Sequence, residues 1–99
     1  MIRDFFVGFI KIHILYHARK GQIYGVEIMK ELKRHGYAIS PGTLYPTLQS
    51  LEREGYLKSE RKVIQGRMKI FYRTTPKGDR ALEQSTHKIR ELVEEVLQE

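Results

Sequence analysis

SPGTLYPTLQSLEREGYL, residues 40–57, carries helix signals at both ends and a proline, Pro46, about two turns inside. Ser40 stands as an N-cap before Pro41 at the first helical position, and Gly55 closes the segment after Glu54. A proline inside a helix costs about 3 kcal/mol, because it donates no hydrogen bond and its ring crowds the carbonyl four residues earlier. At 100° per residue, Leu48 and Leu51 fall within about 40° of Leu44, which makes these three the inner face. Gly42, Pro46, Gln49 and Arg53 fall opposite, with Tyr45 and Ser50 on the flanks. Pro46 is therefore on the outer face, and the carbonyl it crowds belongs to Gly42, which has no side chain to resist adjustment. An outer face of Gly, Thr, Tyr, Pro and Gln with few charges suits contact with a groove better than contact with water.

The neighbouring segments turn this helix into part of a larger pattern. A helix over residues 2–18 places Phe5, Phe9, Ile12 and Tyr16 on one face, with Phe6 and Ile10 beside them and Ile14 and Leu15 on other sides. That apolar girth is wider than one surface helix needs, so the helix is either central to the core or shared with a second subunit. A second helix starts at Tyr24 or Gly25 and runs to about His35, ended by Gly36, with Ile28 and Leu32 inside. From Tyr56 the period changes from 3.6 to 2. Two alternating runs flank Ile64-Gln65-Gly66-Arg67, where Gly66 suits a hairpin position of positive φ, and the tip is basic. Thr75 or Thr74 then caps a last helix to about Leu97, with Pro76 in its first turn. Leu82, Ser85, Ile89, Leu92 and Val96 follow one another there in steps of three and four, with Val93 and Leu97 adjoining. Such a helix is about 33 Å long, more than so small a domain covers alone. Packing against a twin subunit is the preferred reading, and docking onto its own domain is the alternative.

The expected fold class is mainly α with a small β-hairpin: a winged helix-turn-helix over residues 1–75, followed by a C-terminal dimerisation helix over 76–99. The first helix shares the dimer interface. Phe5, Phe9, Leu82, Ile89, Leu92, Val93 and Val96 are the expected interface residues.

Charge is unevenly placed along the 99 residues, whose formal net charge is +6. Residues 1–52 hold seven Lys/Arg against four Asp/Glu, residues 53–80 nine against three, and residues 81–99 two against five. A basic middle before an acidic tail suggests a polyanion-binding surface on one side of the fold. With no Cys, disulfides and thiolate metal sites are excluded, and a cytoplasmic protein is the plain reading. The run FFVGFI is bracketed by Arg3, Asp4, Lys11 and His13 and lacks a cleavage site, so neither a signal peptide nor a membrane span is expected.

The letters themselves go further. YGVEI at 24–28, the stretch at 40–57 and FYRTTPKG at 71–78 resemble the PadR family of transcriptional regulators, over roughly residues 10–97. The Tyr-Pro step in the third helix is the specific part. The resemblance implies dimeric DNA-binding repressors whose third helix enters the major groove, whose wing touches the flanking backbone, and whose first and last helices build the dimer. Some members respond to phenolic or drug-like compounds. The wing here reads QGRMKIFY, without the proline often found near its tip, and the chain has no Trp, so the aromatic stack of drug-binding relatives is missing.

These readings give a set of expected DNA-binding residues. Ser40, Gly42 and Thr43 lie at the helix start that approaches base edges, Tyr45 and Pro46 follow, and Gln49 has the geometry to pair with adenine. Arg53, Lys62, Arg67 and Lys69 are expected on phosphates, with Lys30 or Lys33 as further candidates. Tyr24 either reaches a phosphate or packs in the core; Tyr45 either touches DNA or packs on the second helix. The expected partners are double-stranded DNA with a pseudo-palindromic operator and a second copy of the chain. The dimer interface is either solid core or open to a small apolar or aromatic effector. A winged helix used for protein contacts is the alternative function. No cofactor and no catalytic residue is expected. His13 and His17, four apart, have the spacing to share a metal, but no acidic residue sits between them as in HExxH, and packed or solvent-facing histidines are the expected reading. His35 and His87 stand isolated in the sequence.

Overall fold

A computed structural model of the chain describes residues 2–98; Met1 and Glu99, the outermost residues of the two expected units, lie outside them. In chain order the elements are α1 (Ile2–Lys20), β1 (Ile23–Tyr24), α2 (Gly25–Arg34), α3 (Pro41–Arg53), β2 (Leu57–Ile64), β3 (Arg67–Thr74) and α4 (Pro76–Leu97). No helix among the described residues is long and apolar enough to cross a membrane.

One core joins every layer. Ile14, Leu15 and Ala18 of α1 meet Ile28 and Leu32 of α2, Leu44, Leu48 and Leu51 of α3, and Leu57, Tyr72 and Leu82 from the sheet and α4. Removing each large aliphatic side chain from water stabilises the fold by about 1.5–3 kcal/mol. The buried side of α1 is thus the one carrying Ile14 and Leu15, and the aromatic side keeps Phe5, Phe6 and Tyr16 about half exposed.

The sheet has three strands in the order β1-β3-β2 rather than the two of a simple hairpin. Ile23 and Tyr24 pair antiparallel with Tyr72 and Phe71. Between β2 and β3, Ile64 pairs with Arg67, leaving a two-residue turn of Gln65 and Gly66. Both have positive φ, 52° and 77°, the left-handed pair whose twist matches that of the strands.

Local chemistry sets the helix ends. The Tyr24 amide donates to Glu27 Oε1, and His35 and Gly36 (φ 88°) close α2. Ser40 makes no side-chain bond to the α3 backbone; its Oγ lies 3.3 Å from Thr43 Oγ1 instead. At α4 it is Thr75 that accepts from the Gly78 amide, while the Thr74 hydroxyl donates to Asp79. Glu52 binds α3 to β2 by accepting from both the amide and the hydroxyl of Ser59.

Candidate nucleic-acid interface

Helix α3 runs unbroken through Pro46. Leu44, Leu48 and Leu51 are buried, while Gly42, Thr43, Tyr45, Pro46, Gln49 and Arg53 are exposed. Gly42 lies on the solvent side, where water can serve the carbonyl that Pro46 leaves without a donor. The Thr47 hydroxyl donates to the neighbouring Thr43 carbonyl at 2.8 Å. The outer face is weakly charged, with only Gly42 and Thr43 exposed near its start beside Pro41.

Tyr45 bridges this face to α2. A Cβ placed on Gly25 would lie 2.8 Å from the Tyr45 hydroxyl oxygen, so the ring rests on a helix start that only glycine leaves open. Both alternatives for Tyr45 therefore meet in one residue that is packed along one edge and exposed along the other. Tyr24 is half-buried, edge-on to Phe71 with ring centroids 5.4 Å apart.

The wing carries the charge. Lys62 and Lys69 are direct cross-strand partners, which places two ammonium-bearing side chains on one face of the hairpin. Like charges opposite one another destabilise a strand pair. Here each is held over an aromatic ring: Lys69 Nζ lies 4.3 Å from the Tyr24 centroid and Lys62 Nζ 5.4 Å from that of Phe71. Lys62 also donates to Gln22 Oε1 and sits 4.0 Å from Glu60. Among the described residues, Arg53, Arg67 and Lys69 form no ion pair.

Two hollows flank Tyr45, one between helix and wing and one between α2 and the start of α3. One, of about 410 Å³, is lined by Tyr24, Gly25, Val26 and Tyr45 on the helix side and Arg67, Met68, Lys69 and Ile70 on the wing side. The other, of about 750 Å³, gathers Lys30, Lys33, Ser40 and Tyr45 around an apolar floor of Val26, Met29 and Ile39. Val26, which lines both and is about half exposed, has no counterpart among the expected residues; a lone valine at a helix start gives no signal in sequence. Gln22 was equally invisible, since its role in holding Lys62 depends on a contact 40 residues away.

The expected dimer residues divide into two groups. Leu82 is buried in the core of its own domain, one end of α4 having to dock there before the rest projects, so it has no surface to offer a partner. Leu92, Val93 and Val96 are exposed, as is Phe5, while Phe9 and Ile89 are half-buried. The helices α1 and α4 run antiparallel: Arg19 reaches Asp79 and Glu83, and Ile12 lies beside Ser85 and Ile89. The uncovered apolar residues of both helices thus lie toward the same end of the molecule.

Against known proteins, residues 14–84 match the Transcriptional regulator PadR-like family. The Transcriptional regulator Rv3488 of Mycobacterium tuberculosis is 46% identical over 96 residues, covering 97% of this chain and 90% of that protein. Among solved structures, a PadR-like transcription factor from Bacteroides fragilis superposes with a TM-score of 0.84 at 28% identity, covering 97% of this chain and 94% of the other. A PadR family regulator from Eggerthella lenta gives 0.83 at 31%, covering 99% and 87%. Bacillus subtilis PadR, solved in complex with operator DNA, gives 0.69 at 28%, covering 77% of this chain and 45% of that one. These relatives are transcriptional regulators, not enzymes.

Proposed function

Because the chain belongs to the PadR-like family of transcriptional regulators, we propose that it is a homodimeric repressor, acting in the cytoplasm, that reads a two-fold DNA operator with α3 and grips the flanking backbone with its wing. The observation that carries this reading is the outer face of α3, where Gly42, Thr43, Pro46 and Gln49 are exposed together on a helix whose other side is fully committed to the core. Small residues at the helix start let it approach base edges, and Gln49, about two turns further, has the donor and acceptor to pair with adenine. The opposed Lys62 and Lys69 give the wing a repulsion that phosphates would relieve. A dimer would present two such helices to half-sites about 34–36 Å apart.

Selection of binding sites from random duplex DNA at two salt concentrations tests the reading. Enrichment of a two-fold site whose affinity falls steeply with salt supports it, and binding with no enriched site rejects it. Placing the selected site across a promoter separates repression from activation, since added protein should lower the transcript yield.

The two parts of the interface should fail differently. Gln49→Ala is expected to change the ranking of operator variants, with about 1–3 kcal/mol lost on sites carrying the preferred base and little on others. Arg67→Ala should weaken all sites alike and reduce the slope of log affinity against log salt by about one. Binding isotherms over a panel of operators at several salt concentrations check this, and uniform losses for both variants would contradict the division.

A further inference from the structure

His35 is isolated in the sequence but not in the fold. It caps α2 beside His13 and His17, which are one turn apart on α1. One ring nitrogen from each of the three lies within 4.8 Å of the other two. The rings of His13 and His35 stack with centroids 4.7 Å apart, and those of His13 and His17 lie 6.4 Å apart and nearly parallel. Among the described residues, the buried His17 Nε2 has no hydrogen-bond partner; a carboxylate oxygen of Glu31 is 3.9 Å away, beyond bonding distance. A buried polar atom without a partner is costly and uncommon, and calls for a reason.

We propose that His13, His17 and His35 form a three-imidazole site for a divalent transition-metal cation of the zinc type, with the fourth position open to water. Three neutral imidazoles and one open position are a common zinc arrangement, and nitrogen donors favour zinc, copper and nickel over magnesium and calcium. Zinc–nitrogen bonds of about 2.0–2.1 Å in a tetrahedron place the donor nitrogens roughly 3.4 Å apart. The ring nitrogens, within 4.8 Å of one another, must draw closer for this, and His35, being exposed, has room to move. Burial and the neighbouring histidines hold His13 below the ordinary histidine range. Burial does the same to His17 against the opposing pull of Glu31, with His35, Lys20 and Arg34 adding to the lowering, so both rings present free lone pairs near neutrality. Glu31 stands at the rim beside His17 and pairs with Arg34. Its carboxylate would be placed to accept a hydrogen bond from the bound water.

A cation here would tie the end of α2 to α1 immediately before residues 36–39, the turn into α3. Any effect on operator binding rests on the reading of α3 given above, whereas metal binding itself does not. The test therefore uses tag-free, metal-stripped protein without DNA. Co2+ is titrated and followed by its visible absorption, and Zn2+ is titrated calorimetrically. One Co2+ per chain, with the intense bands of tetrahedral coordination and displacement by Zn2+, is expected. His35→Gln, at an exposed position that leaves the core alone, should weaken binding at least about tenfold, the lower end of what loss of even an outer-shell partner costs. His17→Gln should do the same, and His87→Gln on α4 should leave it unchanged. Absence of saturation with micromolar metal, or binding that persists in His35→Gln and His17→Gln, would overturn the site.

Discussion

Leu92→Glu combined with Val96→Glu is expected to give a folded monomer of 11.7 kDa that has lost most of its affinity for a two-fold operator. Both side chains are more than half exposed within the chain, at 53% and 60%. Changing them should therefore cost the isolated domain little, within about 0.5 kcal/mol. They stand four residues apart on one face of α4, at the end of the molecule where α1 leaves Phe5 uncovered. Two carboxylates in a two-fold interface become four, brought together in an apolar setting. Losing the dimer converts binding of the second half-site from an intramolecular event to an independent one, at a loss of about 10²–10⁴ in apparent affinity. Light scattering and operator titration check this together. An unchanged mass would place the dimer elsewhere, and a monomer with full affinity would show that a single α3 suffices.

Gly78→Ala should have the largest effect on stability of any glycine-to-alanine change in the chain. A Cβ at this position would lie 2.1 Å from the carbonyl oxygen of Tyr56 and 3.1 Å from its carbon. Neither partner is free to retreat. The Tyr56 carbonyl accepts from the Thr75 amide, the Thr75 hydroxyl donates to the Gly55 carbonyl, and the Gly78 amide donates to Thr75 Oγ1. Overpacking commonly costs 1–3 kcal/mol, and a clash of backbone against backbone at a tied junction should reach about 3 kcal/mol or more. For a domain whose whole stability is about 5–15 kcal/mol, that lowers the melting temperature by about 12 °C or more. Gly21→Ala, with open space around it, is the control and should melt near the parent. Melts at equal protein concentration decide the matter, and a Gly78→Ala protein melting within 2–3 °C of the parent would refute the close approach.

Local signals carried most of the architecture. Ser40-Pro41, Gly55, Gly66 and Thr75-Pro76 sit at element boundaries, and the leucines of residues 40–57 point inward as their period requires. What stayed hidden was long-range. Ile23-Tyr24 is too short to show a strand period, and becomes a strand only by pairing with residues 71 and 72. The apolar residues of α1 surround the helix, so periodicity alone could not say that Ile14, Leu15 and Ala18 are the buried side. Leu82 belongs to the same heptad-like series as Leu92 and Val96, yet α4 must dock by one end before it can project, and Leu82 is spent there. In the candidate interface, the rest of Tyr45 on Gly25, the Gln22 brace on Lys62 and the gathering of three histidines all join residues far apart in the chain.

The two-residue strand β1 also determines what can be exchanged between relatives. Tyr24 ends the sheet, begins α2, and lies beneath the ammonium of Lys69. A graft that transplants only the hairpin would carry its lysines away from the ring and the Gln22 amide that steady them, and would leave an unmatched strand edge at the start of α2. To keep its lysines steadied, the hairpin must move together with residues 22–24, a unit discontinuous in sequence and continuous in space.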